Sequence, residues 1–355
     1  MALKEEDTNT ADSTIDNATV QLQRERNNIT IGDVAEALGV SKTTVSRAIS
    51  GKGRIGAETT KRVLDYIKEN HYRPNVVAKG LAKSKTYNIG WAMPGDSNVS
   101  DLPFFQRCMM GISEVAASGD YDILISMVFD RDISQLKSIV KNRKVDGIIL
   151  GRTLVEDEGI KFLKKSDMPF VVIGSSVDDG VIQIDNDHVK ACKELTAIVI
   201  MKGVRRLALI GGSTNHVVNL TRREGFEMGL MEQGIPVNQE LIYMDCETDS
   251  AVERAVDNCL RNRAECIITT DDRICHSVLE KLGRDGVRIP DQLKVASFYS
   301  SIMLENNQPA ITSLHYDPKE LGIVACKTLF DYLAGKEVQK KVLLGYEVVL
   351  KGSTQ

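Results

Sequence analysis

Apolar and polar positions follow two different rhythms along this chain, and the change falls near Tyr87. Between Ile29 and Tyr72 the apolar residues recur three and four apart, the spacing of short amphipathic helices. Val34, Ala35 and Leu38 share one face of a first helix, with Thr30 and Asp33 placed as a capping pair and Gly39 ending the turn. Ser41 caps a second helix, KTTVSRAIS, in which Val45, Ala48 and Ile49 point inward while Lys42, Thr43, Thr44, Ser46 and Arg47 stay outside. After the loop GKGRIG, a third helix is expected over AETTKRVLDYIKENHY, with Val63, Leu64 and Ile67 as its core stripe. Three helices of this size make a small domain over residues 29–73. Residues 1–28, rich in Asn, Thr, Asp and Glu, read as a disordered tail.

Pro74 stops the helical rhythm, and residues 74–86 read as a linker. From Tyr87 onward apolar runs of strand length take over: YNIGWAM, YDILISMV, VDGIIL, FVVIG, RLALIG, CIITT and KVASF. Helical stretches such as FFQRCMMGISEVAAS and ISQLKSIVKNR separate them, which implies βαβ units and a buried parallel sheet with helices on both faces. Residues 87–355 are too many for one such sheet. Two α/β lobes are therefore expected, one over about 87–185 plus a later segment, the other over about 186–298 plus C-terminal strands. The closing segments AITSLHY and GYEVVL are expected to supply extra strands.

Charge sharpens this division. Over residues 29–86 eleven Lys and Arg face five Asp and Glu, a surplus of six positive charges, whereas the whole chain carries −4. A basic head on an acidic body points to a polyanionic partner for the head alone. The first thirty residues lack the apolar centre of a signal peptide, and no apolar run approaches the ~18 residues of a membrane span. A cytoplasmic protein without membrane contact is expected. The seven cysteines form no Cys-x-x-Cys pair and have no histidine at zinc spacing, so neither a disulfide frame nor a metal site is expected.

Catalysis finds no foothold among the motifs. Walker A, HExxH and GxSxG patterns are absent from the sequence. Gly51, Gly53 and Gly56 match G-x-G-x-x-G, but that fingerprint requires a strand before it, and here a helix precedes it. Neither a cofactor nor an enzyme is expected, and these glycines read as tight turns that leave Lys52 and Arg54 near phosphates.

TIGDVAEALGVSKTTVSRAIS has the pattern of a helix-turn-helix, two short helices joined by a glycine-containing turn. Small polar and basic side chains on the second helix suit the major groove, with Thr43, Thr44 and Ser46 to bond bases or phosphates and Lys42 and Arg47 to reach guanine. The stretch TIGDVAEALGVSKTTVSRAISGKGRIGAETTKRVLDYIKENHYRPN closely resembles the N-terminal domain of the LacI/GalR family of bacterial transcription regulators. Further resemblance runs through IGWAMPG, PFF, VDGIIL, IDN, RRLALIGG, RREGF, TTDD, RIPDQLKVASF and KGST, so it covers roughly residues 29–354.

The resemblance implies a helix-turn-helix domain and hinge helix ahead of a two-lobed, periplasmic-binding-protein-like α/β core. It implies that Lys42, Thr43 and Arg47 make most of the base contacts, with Ser41 among the other DNA-binding residues. RPNVVAKGLA resembles the family's hinge helix, which would set Asn75, Val77, Lys79, Leu81 and Lys83 against DNA, with Leu81 wedged between base pairs in the minor groove. So short a helix is unstable alone, and Gly80 adds about 1 kcal/mol against it. The hinge is thus expected to order only on DNA, beside a second subunit.

In the core the resemblance implies an effector pocket between the lobes, lined by Phe104, Phe105, Arg222, Asp271 and Tyr299. One of the two phenylalanines is expected in the core, Asp272 is expected to cap a helix, and Asp185 and Asn186 either meet the ligand or hold the turn at the lobe crossover. Two departures stand out: four added residues, Val99 to Leu102, and Tyr299 with Ser300 where many members carry an acidic pair. The second argues against a simple monosaccharide and for a glycoside, an aromatic or a nucleoside. The expected protein is a homodimeric regulator, a repressor of a catabolic operon, whose hold on a near-palindromic double-stranded DNA operator responds to a small-molecule effector. The rival is a small-molecule-binding protein or an α/β enzyme with no DNA function.

Overall fold

Runs such as Gly147–Leu150 and Leu207–Ile210 are buried at every position, as strands covered on both faces must be. The computed structural model describes residues 29–51, 53–72, 80, 83–95 and 102–355, with Leu102 by its backbone only. The expected tail, Lys52, most of the hinge with Asn75, Val77, Lys79 and Leu81, and Val99 to Asp101 of the added loop lie outside the described residues. The chain divides into two compact units, one ending at Lys85 and the other beginning at Thr86.

The first unit holds α1 (Ile31–Ala37), α2 (Lys42–Ser50) and α3 (Ala57–Glu69). Thr30 Oγ1 accepts from Asp33 N at 3.3 Å while Asp33 Oδ2 accepts from Thr30 N at 2.7 Å, a complete capping box. Ser41 Oγ accepts from Thr44 N at 3.1 Å and starts α2. The helix ends at Gly51, whose φ of +63° a residue with a side chain rarely adopts, and Gly53 follows at +100°. The GKGRIG loop is therefore a helix-to-helix connection. Val34, Ala35, Val45, Ala48, Val63 and Tyr72 form the core. Leu64, expected in that core, is 46% exposed, because Tyr66 and Ile67 fill the stripe beside Val63 and turn Leu64 outward.

The second unit contains two six-stranded sheets. The first runs β2 (Asp122–Val128), β1 (Asn88–Pro94), β3 (Gly147–Leu150), β4 (Phe170–Ile173), β5 (Gln183–Asn186), β11 (Lys341–Leu344), all parallel. On one face pack α4 (Leu102–Ser118) and α12 (Pro318–Leu333), on the other α5 (Ser134–Lys141) and α6 (Glu158–Lys165). The second sheet runs β7 (Ile242–Tyr243), β6 (Leu207–Ile210), β8 (Cys266–Thr269), β9 (Lys294–Ser297), β10 (Thr312–His315), β12 (Glu347–Val349), antiparallel only at β10 and β12. Its faces are covered by α7 (His188–Met201) with α8 (Val217–Glu232), and by α9 (Asp249–Arg261) with α10 (Asp272–Arg284) and α11 (Ile302–Glu305).

The chain passes between the lobes three times, after β5, after β10 and after β11. α12 thereby returns to the first lobe and lies directly on α4. A Cβ on Gly322 would collide with the Cys108 carbonyl, and one on Gly111 with the Lys319 carbonyl. Both obstacles are backbone, which cannot rotate aside. Gly322→Ala is expected to cost roughly 1–3 kcal/mol, seen as a lower urea midpoint for the core.

Candidate functional site

Doubly wound sheets leave a crevice at the carboxyl ends of their strands, and here the two sheets turn those ends toward each other. The result is a cavity of about 430 Å³ between the lobes. Asp130 follows β2, Arg152 and Thr153 follow β3, Asp185 and Asn186 end β5, Asp271 and Asp272 follow β8, and Tyr299 and Tyr316 follow β9 and β10. All eight expected effector positions, Phe104, Phe105, Asp185, Asn186, Arg222, Asp271, Asp272 and Tyr299, line it. Phe105 is also in the first lobe's core, while Phe104 turns its edge to Tyr299 at 6.1 Å.

Asp185 is buried, and its oxygens are occupied by protein groups. Oδ2 accepts from Ser175 N at 2.7 Å and from Ser175 Oγ at 2.8 Å, Oδ1 accepts from Asn186 N at 2.8 Å, and His188 Nε2 faces Oδ1 at 3.3 Å. Burial raises its carboxyl, but His188 and these donors outweigh that and hold it below the usual carboxylate value. Burial lowers the His188 ring against the pull of Asp185, and the Arg222 charge lowers it further. A neutral ring with its proton on Nε2 satisfies the geometry, since Nδ1 then accepts from Tyr316 Oη at 3.1 Å.

Arg222 takes a different position. Its Nη1 donates to Thr270 O at 2.8 Å and its guanidinium lies 5.9 Å from the centre of the Tyr299 ring, but its buried Nε has no partner. Asn186 Oδ1 is likewise buried and unpartnered. Tyr299 stacks on Tyr316 at 6.4 Å with the rings 13° apart. The helix cap falls to Asp271, which accepts from Ile274 N at 2.8 Å, and not to Asp272 as expected. Asp272 is the first helical residue, and burial, with the Asp271 charge nearby, raises its carboxyl above the ordinary value.

Several lining residues were not anticipated: Asp130, Arg152, His188, His216, Glu247, Arg273 and Tyr316. Arg152 and Asp130 pair at 2.6 Å, and His216 Nε2 approaches Asp130 at 3.9 Å from the other lobe. Beside them Val155 N donates to Asn215 O at 2.8 Å and Leu154 forms a single bridge with His216, so backbone links join the lobes at this point. The signal for Arg152 and Tyr316 was present, since Arg152 lies two residues past the expected strand VDGIIL and Tyr316 ends the expected strand AITSLHY.

In the first unit, Ser41, Lys42, Thr43, Ser46 and Arg47 are exposed on or beside α2, as are Arg54 and Lys83 further along. Thr44 is half-buried, and its hydroxyl lies 2.9 Å from Ser41 Oγ within the cap. Arg47 lies across Gly53, where a Cβ would stand 3.1 Å from Arg47 Cδ.

Residues 30–75 match the lacI family of bacterial regulatory proteins, and residues 197–354 match the periplasmic binding protein-like domain. The HTH-type transcriptional regulator MalR of Streptococcus pneumoniae is 31% identical over 336 residues, covering 91% of this chain and 99% of its own. Two solved structures share the fold. The lac repressor dimer bound to operator and the anti-inducer ONPF superposes with a TM-score of 0.76 at 21% identity, covering 92% of this chain and 99% of its own. A complex of the transcriptional regulator CelR with cellobiose gives 0.69 at 22%, covering 92% and 100%. Among the described residues no helix is long and apolar enough to cross a membrane.

The folded chain holds His188 below its ordinary value of 6.5, whereas the unfolded chain takes up a proton near that value. Stability is therefore complete above the unfolded value and falls as the pH drops through it. Thermal melting between about pH 8 and 5 is expected to show this loss in the native chain and a flatter profile in His188→Gln.

Proposed function

The chain belongs to the lacI family of bacterial regulatory proteins, and on that premise we propose that a saccharide in the interlobe cavity governs its grip on DNA. It is a DNA-binding transcription regulator, and its relatives are regulators, not enzymes. The observation that carries the proposal is a cavity between two lobes, lined by both hydrogen-bonding groups and aromatic rings, in a chain that also carries the exposed polar face of α2. Carbohydrates need both features, since their hydroxyls require directed partners and their ring C–H faces pack on aromatic surface. One fold neighbour holds cellobiose in its structure.

In this reading the protein works in the cytoplasm as a homodimer on a near-palindromic operator, each subunit reading one half-site. Lys42, Thr43, Ser46 and Arg47 meet base edges, while Ser41, Thr44, Lys52 and Arg54 support the approach along the phosphates. Asn75, Val77, Lys79, Leu81 and Lys83 form the hinge contact, and Leu81 opens a base step. Phe104, Phe105, Asn186, Arg222, Asp271, Asp272 and Tyr299 surround the saccharide, with Asp185 holding the wall behind Asn186. The saccharide acts by favouring one lobe arrangement, and only its differential affinity for the two arrangements changes DNA binding.

The test starts from a DNA fragment selected from a random-sequence pool by binding. Fluorescence anisotropy across a salt series is expected to give an affinity at least about 10³-fold above nonspecific DNA, and equal affinities would refute the reading. An active saccharide shifts that affinity by roughly 5–150-fold. Arg47→Ala is expected to cost about 1–3 kcal/mol of operator binding without changing saccharide affinity. Leu81→Ala is expected to weaken operator binding in the same assay.

A further inference from the structure

Outside the three chain crossings, the two lobes also touch through their own backbones. Leu154 and His216 form an antiparallel bridge. On either side of it Val155 N donates to Asn215 O at 2.8 Å and Val217 N donates to Thr153 O at 3.4 Å. Because these bonds bracket the pair, Leu154 and His216 are a non-hydrogen-bonded cross-strand pair, the kind whose Cα atoms stand about 4.5 Å apart. Each partner is pinned to its own lobe. In the first, Asp157 Oδ2 accepts from Leu154 N at 3.0 Å and Thr153 Oγ1 donates to Ser175 O at 2.5 Å. In the second, Asp245 Oδ1 accepts from Thr214 N at 2.7 Å and Ser213 O accepts from Asn219 Nδ2 at 2.9 Å. Asp130, held by Arg152 at 2.6 Å, turns its other oxygen toward His216 Nε2 at 3.9 Å along the same line.

The sheet order puts this contact on the side away from the joint. The crossings use β5 and β11, at one edge of the first sheet, and β10 and β12, at one edge of the second. Residues 153–155 follow β3 and Asp130 follows β2 at the far edge, while residues 215–217 follow β6, next to the far-edge strand β7. At the usual strand spacing β3 and β2 stand roughly 10 and 19 Å from β5. A rotation of about 15° about the joint parts groups at those distances by roughly 2–5 Å, enough to break a hydrogen bond, while groups at the joint hardly move. The contact therefore has the leverage that the joint lacks. Both sides of every bond in it are protein atoms, so it forms without help from a molecule in the cavity.

We propose that residues 153–155 and 215–217 are a clasp, which closes the lobes opposite their joint by protein contacts alone and sets the balance between the closed and open arrangements on which DNA binding depends. Control of DNA by that balance rests on the function proposed above; the closing of the lobes does not. An effector works with the clasp or against it, and its reach is limited by how far the clasp already favours one arrangement.

Residue-resolved hydrogen exchange of the full chain, with no sugar added, reads the clasp directly. The Val155 amide, bonded across the lobes, is expected to exchange at least about tenfold more slowly than in an unstructured peptide. Val217→Pro removes the second cross-lobe donor at the first position of α8, where proline is favoured and where His216, at φ −87° and ψ 118°, already has the conformation that proline demands of its predecessor. It is expected to speed Val155 exchange roughly fivefold, while the Leu154 amide, bonded to Asp157 in its own lobe, keeps its rate. Leu154→Cys combined with His216→Cys sets two thiols at cross-strand positions that a disulfide can span, and oxidation is expected to slow Val155 exchange at least about tenfold, reversibly on reduction. Operator affinity is expected to differ roughly fivefold or more between the oxidised double variant and Val217→Pro. Free-chain exchange at Val155 in the native protein overturns the clasp, as does a Val155 rate that Val217→Pro leaves unchanged or changes only together with that of Leu154. So does failure of the two cysteines to join. Equal operator affinities of the locked and loosened forms, each still preferring operator to nonspecific DNA, overturn control by the clasp and leave the DNA-binding reading intact. If no form, the native chain included, prefers operator, the proposed function fails and the exchange rates alone decide the clasp.

Discussion

A carboxylate shut away from water must find its partners within the protein, and Asp185 does so at the place where the chain first leaves one lobe for the other. Its ring of donors reaches through His188 to Tyr316, which stands at the second crossing. At the third crossing Leu344 O accepts from Asp187 N at 3.1 Å, and Tyr346 Oη donates to Glu194 Oε2 at 2.6 Å. The three connections are thus bonded to one another by groups that need those bonds for their own solvation. The lobes meet at a joint with defined chemistry, the kind of element about which hinge motions are organised.

The cavity inherits its character from that joint. Groups on the joint side, Asp185 and His188, are satisfied internally and form a wall. Arg222 and Asn186 each keep one buried atom without a protein partner, Nε and Oδ1, although Arg222 Nη1 donates to Thr270 O and Asn186 N to Asp185 Oδ1. Tyr299 contributes through packing, stacked on Tyr316 and lying under Arg222, where many relatives of the LacI/GalR type are expected to carry an acid. In this chain the pocket floor at that point is a ring.

Much of this architecture was legible in the linear pattern because it depends on near neighbours. The capping residues Thr30, Asp33 and Ser41 act within four residues of themselves, and the continuous apolar runs of β3, β6 and β8 report burial on both faces wherever they are placed. The glycines at 51 and 53 declare left-handed turns, and the strand missing before them removes the dinucleotide reading without reference to anything distant. By contrast β5, β7 and β11 were not anticipated. QIDN and IY are too short or too polar to stand out, and KVLL pairs at a sheet edge with alternate residues exposed.

The composition and periodicity of the chain were enough to indicate a basic three-helix head and a two-lobed parallel α/β body, since each follows from local spacing and general rules of sheet topology, while the expectation of a pocket between the lobes came from the family resemblance. Folding in three dimensions had to assign the duties of individual polar residues. Asp185 and Asn186 are adjacent in sequence and equally polar, yet one is saturated by Ser175 and His188 while the other keeps an open acceptor. Asp271 and Asp272 divide capping and burial in the same way. Leu64 turned outward for a related reason, because the space beside Val63 was taken by Tyr66 and Ile67. Hydrogen-bond saturation and packing volume depend on residues tens to hundreds of positions away, and no local pattern along the chain carries that information.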